Sequence, residues 1–185
     1  FNNINYKGMY IVDSFGSISN YELERLLYIF DKNIKKDALL GFHSHNNMQL
    51  AYSNSINFIN GITNREIITD SSIYGMGRGA GNLNTELLAD YLNKNKQANY
   101  KLTNILEVIE FYIESIYNKN PWGFSLVHFL SATKGCHPNY ASFFANKKIS
   151  VVCIQEVLND LDKDKKSVFD KEYAQKIYTE YIMKV

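Results

Sequence analysis

The chain has 185 residues, a formal charge of +1 and 45% hydrophobic residues, enough apolar material for the core of a globular domain. Its 20 basic and 19 acidic residues form no long basic run, which excludes the charge pattern typical of a nucleic-acid-binding protein. Two cysteines, no apolar run of membrane-spanning length and no recognisable leader predict a cytoplasmic protein with neither nucleic-acid nor membrane partners.

Up to about residue 97, short strand-like runs alternate with helical patterns in the order β-α-β-α-β-α, which predicts a parallel sheet with crossover helices. The best-supported helix is the first, because Ser19 and Glu22 have the spacing of a capping box. Its apolar face should cover the sheet. The predicted strands are MYIVDS, ALLGFH and EIITDSSIYG, and the predicted helices are SNYELERLLYIF, MQLAYSNSINFIN and NTELLADYL.

After that point the strand signal disappears, and helical periodicity continues to the end of the chain. The sequence therefore predicts an α/β part over residues 1–97 and an all-helical extension over residues 98–185. Within the extension, residues 121–144 are dense in aromatic side chains. They are interpreted as the core of a helical bundle or as a docking surface, and burial is the commoner environment for such side chains.

Two histidines, His43 and His45, lie one residue apart where the second predicted strand ends. Because side chains alternate along a strand, both imidazoles should point to the same side. Ligands of α/β sheets and barrels bind at this carboxyl end of the strands. The pair is therefore interpreted as a divalent metal site, with structural hydrogen bonding as the alternative.

Aspartates end the neighbouring strands, Asp13 in the first and Asp70 in the third. Two histidines and a carboxylate with open coordination positions suit a divalent ion that also holds an oxygen-rich substrate. Each aspartate could instead cap a helix or a turn. For Asp13 we hypothesise a supporting role in catalysis, in which its carboxylate orients a metal-bound histidine.

The third strand leads into YGMGRGAGN, residues 74–82, which we call the glycine loop. Four glycines in seven positions exceed what a single tight turn requires. Bare backbone amides and Arg78 are therefore predicted to hold a substrate carboxylate or phosphate near the metal, with Asn82 as a further metal ligand. The predicted substrate-binding residues are Gly75, Gly77, Arg78, Gly79 and Gly81.

The glycine loop also satisfies the dinucleotide fingerprint through Gly75, Gly77 and Ala80. A Rossmann unit requires a second strand after the helix, with an acidic ribose ligand near its end. Here the chain passes through LNKNKQANY into further helix. We therefore reject a dinucleotide site.

Taken in order, VDSFG, GFHSHNNMQLAYSNS and DSSIYGMGRGAGN resemble the last part of the barrel in HMG-CoA lyase-like (DRE-TIM) metal-dependent enzymes. The 4-hydroxy-2-oxovalerate aldolase branch is most similar, through its pattern HxHxN followed by GMGxGAGN. The resemblance covers roughly residues 9–92. The matching residues are His43, His45, Asn47, Gly75, Met76, Gly77, Gly79, Ala80, Gly81 and Asn82.

This resemblance implies strands 6–8 of a (β/α)8 TIM barrel followed by a helical extension. It implies a divalent metal (Mn²⁺, Mg²⁺ or Zn²⁺) held by His43 and His45, and by Asn82 as in the lyase branch. The implied reaction cleaves or forms a C–C bond next to a 2-oxo acid through a pyruvate enolate. About 150 residues with strands 1–5, a further aspartate ligand and the catalytic base would be absent, so this chain alone is expected to be inactive.

The sequence departs from the family pattern in a way that disfavours one substrate, and two other functions remain as alternatives. Met76, Gly77 and Arg78 stand where HMG-CoA lyases carry a reactive cysteine, which disfavours HMG-CoA. A Claisen-type acyltransferase similar to isopropylmalate synthase shares the HxH motif. A non-catalytic fragment that acts as an interaction module is the hypothesis from another class. For the tyrosine that the aldolases carry in their extension, Tyr140 is one candidate.

The resemblance also implies partners. The substrate would be a small 2-oxo acid, and the helical extension would dock a dehydrogenase, as in the aldolases, or a second copy of the chain. A three-stranded sheet from an opened barrel exposes apolar edges and an apolar face, so we expect the isolated chain to associate with itself or with the remaining half.

Overall fold

The computed structural model describes residues 4–61 and 64–183, which contain three strands and nine α-helices. They form two compact units, Phe1–Gly123 and Phe124–Val185. Over the described residues, no helix combines the length and apolar character needed to cross a membrane. The elements are β1 Gly8–Asp13, α1 Asn20–Asn33, β2 Leu39–Ser44, α2 Ala51–Gly61, β3 Ile67–Thr69, a 3₁₀ turn Ile73–Gly75, α3 Thr85–Asn95, α4 Leu102–Val108, a π-helical turn Ile109–Ile113, α5 Glu114–Lys119, α6 Leu126–Thr133, α7 Pro138–Asn146, α8 Val151–Asn159 and α9 Lys171–Ile182.

The sheet of the first unit is parallel and has the order β1-β2-β3. The register aligns Val12 with His43 and Phe42 with Thr69. The α/β class and the alternation of strands and helices predicted from the sequence are thereby confirmed. The carboxyl ends of all three strands consequently meet at one edge of the sheet.

Helix α1 begins as its sequence predicts. The Ser19 hydroxyl accepts the backbone N–H of Glu22, and the Glu22 carboxylate accepts the backbone N–H of Ser19. This reciprocal pair satisfies two backbone donors that a helix start would otherwise leave free. The apolar face of α1 then buries Leu23 and Leu27 against the sheet.

The two faces of the sheet differ in their covering. On one face, Leu40 and Phe42 of β2 are fully buried together with side chains of α1 and α2. On the other face, Tyr10, Val12 and Ile68 remain 41%, 47% and 36% exposed. Apolar side chains on a sheet are normally covered, so this face differs from the opposite one in leaving them open to solvent. His43 lies on this open face, beside Val12.

The helical segment over residues 102–119 belongs to the first unit. The sequence-based boundary at residue 97 therefore differs from the division between compact units, which follows Gly123. Helical periodicity shows that a segment has an apolar face but does not show which body that face contacts. Here the rings of Tyr117 and Trp122 pack edge-to-face on Tyr74.

The second unit is a helical bundle with its own core. Tyr140 and Phe144 are fully buried there, in accordance with the predicted core role of the aromatic segment, whereas Phe124 is 54% exposed. The Tyr140 hydroxyl donates to the carbonyls of Lys165 and Val168, both at 3.1 Å. This buried and hydrogen-bonded tyrosine stabilises the bundle and is a poor candidate for the catalytic tyrosine.

Candidate functional site

The site lies at the carboxyl end of β2. The rings of His43 and His45 are 4.9 Å apart between centroids and meet edge-on. His45 also forms an isolated antiparallel bridge with Asn82 at the end of the glycine loop. The fold therefore brings together the two sequence-predicted histidines and the predicted third ligand.

His43 is held by a carboxylate from the neighbouring strand end. Its Nδ1 lies 3.0 Å from Oδ2 of Asp70, and the Tyr10 hydroxyl donates to Oδ1 of the same carboxylate at 3.2 Å. An ionised carboxylate only accepts hydrogen bonds, so Nδ1 of His43 carries the proton. In the neutral ring, the lone pair is then on Nε2, the arrangement found in metal-ligating histidines.

His45 is held in the same way by the main chain. Its Nδ1 lies 2.8 Å from the backbone carbonyl oxygen of Asp13. A carbonyl accepts only, so this ring also carries its proton on Nδ1 and presents Nε2. Both imidazoles thus use Nδ1 for a hydrogen bond within the protein and carry the lone pair on Nε2, the nitrogen that could bind a cation.

The carboxylate of Asp13 has a different position from the one we hypothesised. It is buried and accepts the backbone N–H groups of Ser17 at 2.9 Å and Ile18 at 3.2 Å. Burial raises the pKa of Asp13, although these hydrogen bonds and nearby His45 act to lower it. The side chain therefore fixes the turn after β1, while the main-chain carbonyl of Asp13 is the group that orients His45.

The side chain of Asn82 has one bonded and one unbonded polar atom among the residues that the structure describes. Its side-chain Nδ2 donates to the carbonyl of Met76 at 2.9 Å, and its backbone N–H donates to Gly75 at 3.0 Å. Its Oδ1 is buried and accepts no hydrogen bond from the described residues. A buried acceptor without a donor is costly, and a cation bound at Oδ1 would satisfy it.

Two imidazole nitrogens and one amide oxygen suit a divalent cation such as Zn²⁺, Mn²⁺ or Mg²⁺. Within residues 4–61 and 64–183, no group of three or more His, Cys, Asp or Glu residues is placed to hold a metal ion. Asp70 and Asp13 contact the Nδ1 atoms of the histidines, Asp70 through its carboxylate and Asp13 through its backbone carbonyl. The ligand set present in this chain fits a metal but leaves coordination positions open.

The glycine loop is shaped around Asn82. Gly75, Gly79 and Gly81 have φ values of 62°, 63° and 77°, and a Cβ at Gly77 would lie 2.5 Å from Nδ2 of Asn82. Only glycine adopts this backbone without strain and allows such a close approach. The loop conformation therefore explains these glycines without any bound anion.

Fewer backbone amides of the glycine loop are available to bind an anion than the sequence predicts. The N–H of Gly75 donates to Ser72 and that of Gly81 donates to Arg78, at 3.0 and 3.2 Å. These two amides are bonded to backbone carbonyls and are not free for a ligand. Arg78, the predicted substrate-binding residue that is not a glycine, is exposed.

Sequence reasoning missed two residues that support the site. Tyr10 hydrogen-bonds Asp70, and strand alternation from Val12 would have placed it on the same face. The Trp122 indole N–H donates to the carbonyl of Tyr74 at 2.8 Å. Nothing in the sequence pattern indicates that contact. Asn47 of the HxHxN pattern is buried and packs against Gly16 in the turn after β1.

Comparison with known proteins identifies similar sequences. A family model described as HMGL-like matches residues 1–111. The 4-hydroxy-2-oxovalerate aldolase of Geobacillus genomosp. 3 is 32% identical over 110 residues, which cover 58% of this chain and 31% of that protein. The same-named protein of Geobacillus stearothermophilus is 34% identical over 86 residues, covering 46% and 24%. The chain thus spans less than a third of these relatives.

A solved structure is similar as well. The N-terminal domain of a candidate aldolase from Bacteroides vulgatus superposes with a TM-score of 0.66 and 34% sequence identity. The match covers 76% of this chain and 45% of that one.

Proposed function

Since the chain belongs to the HMGL-like family, we propose that it forms the metal-binding end of a divalent-metal-dependent aldolase acting on a 2-oxo acid. Family membership and the names of the curated relatives support an aldolase or lyase. The proposal adds the metal, the substrate class and the place of the three strands as strands 6–8 of a barrel. The open sheet face supports a sheet that further strands complete, and the order of the three strand-end motifs supports the place as strands 6–8.

One observation carries the proposal. His43 and His45 both have Nδ1 engaged by a protein acceptor, and the neighbouring Asn82 has a buried Oδ1 without a donor. Structural hydrogen bonding alone would account for the histidines but would leave the Asn82 oxygen unexplained. A cation at this point would account for all three side chains.

The bound metal would supply a Lewis acid that polarises the substrate carbonyl and stabilises the negative charge that develops as the C–C bond breaks or forms. The chain's own residues position the ligands. Asp70 fixes the ring of His43, and the carbonyl of Asp13 fixes that of His45. Arg78, being exposed and cationic, is proposed to bind the substrate carboxylate.

The reaction can be tested by product analysis on the native polypeptide that contains this sequence. Pyruvate plus an aldehyde, with Mn²⁺, is expected to give the 4-hydroxy-2-oxo acid, and removal of the metal with a chelator is expected to stop the reaction. In a parallel reaction, a 2-oxo acid plus acetyl-CoA tests the Claisen-type alternative. A product from the 2-oxo acid and acetyl-CoA, with no product from pyruvate and the aldehyde, would contradict the aldolase proposal.

The open sheet face supports a second candidate role, that of an interaction module. Tyr10, Val12 and Ile68 are exposed on a face that parallel sheets normally cover. We expect the isolated chain to self-associate, and light scattering over a concentration series should show a mass above 21.4 kDa. A monodisperse monomer at high concentration would count against this role.

A further inference from the structure

Tyr74, in the glycine loop, has a backbone conformation that its side chain disfavours. Its φ of 58° lies in the left-handed region, where a residue with a Cβ is strained. Such residues persist only where surrounding contacts hold them, and they cluster at functional sites. The contacts that hold Tyr74 therefore identify what positions the loop.

Tyr74 makes contacts through both its main chain and its ring. Its N–H donates to the Glu86 carboxylate at 2.9 Å, and its carbonyl accepts the Trp122 indole N–H at 2.8 Å. Its ring packs edge-to-face on Tyr117, with centroids 5.4 Å apart, and on Trp122, with centroids 6.2 Å apart. Trp122 therefore contributes both a hydrogen bond and a packing surface.

The segment around Trp122 also contacts the other end of the loop. Gly123 donates its N–H to the carbonyl of Gly79 at 2.9 Å. A Cβ built on Gly81 would lie 3.2 Å from Cδ1 of Trp122, so the indole packs closely on the residue before Asn82. Asn82 in turn donates its N–H to Gly75, the residue after Tyr74. Trp122 and Gly123 thus contact the glycine loop both near its start, at Tyr74, and near its end, at Gly79 and Gly81.

We propose that Trp122 is a positioning residue that holds the glycine loop in the conformation that brings Asn82, the bridge partner of His45, to the site. The indole stays outside the site and acts through Tyr74 and Gly81. Because the metal role of Asn82 rests on the proposed function, the test begins with the metal-free chain.

The first measurement is hydrogen exchange of residues 74–82 without metal. Trp122→Phe keeps an aromatic ring but removes the N–H donor, and Trp122→Ala removes both. Loss of one hydrogen bond is expected to speed exchange about 5-fold in the Phe variant, and more in the Ala variant. Tyr91→Phe is the matched control, since it removes a hydroxyl that bonds Asn60 in the same unit. It should leave the loop unchanged.

The second measurement is the Mn²⁺ affinity of the native polypeptide by calorimetry. Circular dichroism first establishes that each variant has the thermal stability of the wild type. Trp122→Phe is expected to weaken binding about 5-fold, whereas Tyr91→Phe should not. Unchanged exchange in both Trp122 variants would overturn the proposal, and faster exchange with unchanged affinity would overturn the link from the loop to the metal. A native polypeptide that binds no Mn²⁺ contradicts the proposed function instead, and exchange then still decides whether Trp122 holds the loop.

Discussion

Replacing His43 by alanine in the native polypeptide is expected to lower kcat/KM for aldol cleavage by more than about 100-fold. Loss of a residue that only orients a ligand costs about 10- to 100-fold in metal affinity or activity, so loss of a ligand itself should cost more. The double replacement of His43 and His45 should abolish specific Mn²⁺ binding. Calorimetry with Mn²⁺ and steady-state kinetics measure the two effects.

Asp70→Ala provides the graded comparison. Asp70 contacts Nδ1 of His43 at 3.0 Å and is placed to orient the ring, so its loss is expected to reduce Mn²⁺ affinity about 10- to 100-fold without abolishing binding. His137→Asn is the control, because it removes an imidazole from the second unit but keeps a side chain able to cap α7. Retained Mn²⁺ binding and full activity in the double histidine variant would rule out the metal site.

Replacing Arg65 by alanine is expected to destabilise the first unit by about 3 kcal/mol. The Arg65 side chain is 5% exposed and makes an ion pair with Asp31, whose side chain is 21% exposed. Removing one partner of a buried ion pair costs about 3–5 kcal/mol, and the partial exposure of Asp31 favours the lower value. The guanidinium also donates to the carbonyls of Asp31, Lys35 and Ala38, and thereby holds the connection between α1 and β2.

Urea unfolding followed by tryptophan fluorescence measures this effect, because the chain's single tryptophan, Trp122, lies in the first unit. A lowering of the midpoint by about 1 M or more is expected. Arg65→Lys keeps the charge but not the planar fork, so it should fall between the wild type and Arg65→Ala. Lys94→Ala removes an exposed ion pair with Asp90 and should leave the midpoint unchanged. A wild-type midpoint in Arg65→Ala would show that the ion pair and hydrogen bonds of Arg65 do not stabilise the unit.

Prediction from sequence succeeded where the physics is local. Capping-box spacing placed the start of α1 at Ser19, and strand alternation put His43 and His45 on the same side. The positions of turns and apolar runs were sufficient to predict a parallel sheet. Short-range hydrogen bonding and periodicity depend only on neighbouring residues, so the sequence displays them directly.

Prediction failed where a role depends on which group of a residue makes the contact. Asp13 was expected to orient a histidine through its carboxylate, but its carbonyl does so while the carboxylate fixes a turn. The Gly75 and Gly81 amides were expected to face a ligand, but they donate to the backbone carbonyls of Ser72 and Arg78. Each of these residues offers several hydrogen-bonding groups, and the sequence does not specify the partner of each.

The sequence by itself determined the α/β class, the HxH pair and the glycine loop with Asn82, because these follow from spacing along the chain. Only the tertiary structure decided that Asp70 contacts His43, that Asn82 Oδ1 accepts no hydrogen bond from the described residues and that Trp122 bonds Tyr74. The Trp122–Tyr74 contact joins residues 48 positions apart. Such contacts depend on how the elements pack in three dimensions, which no local pattern encodes.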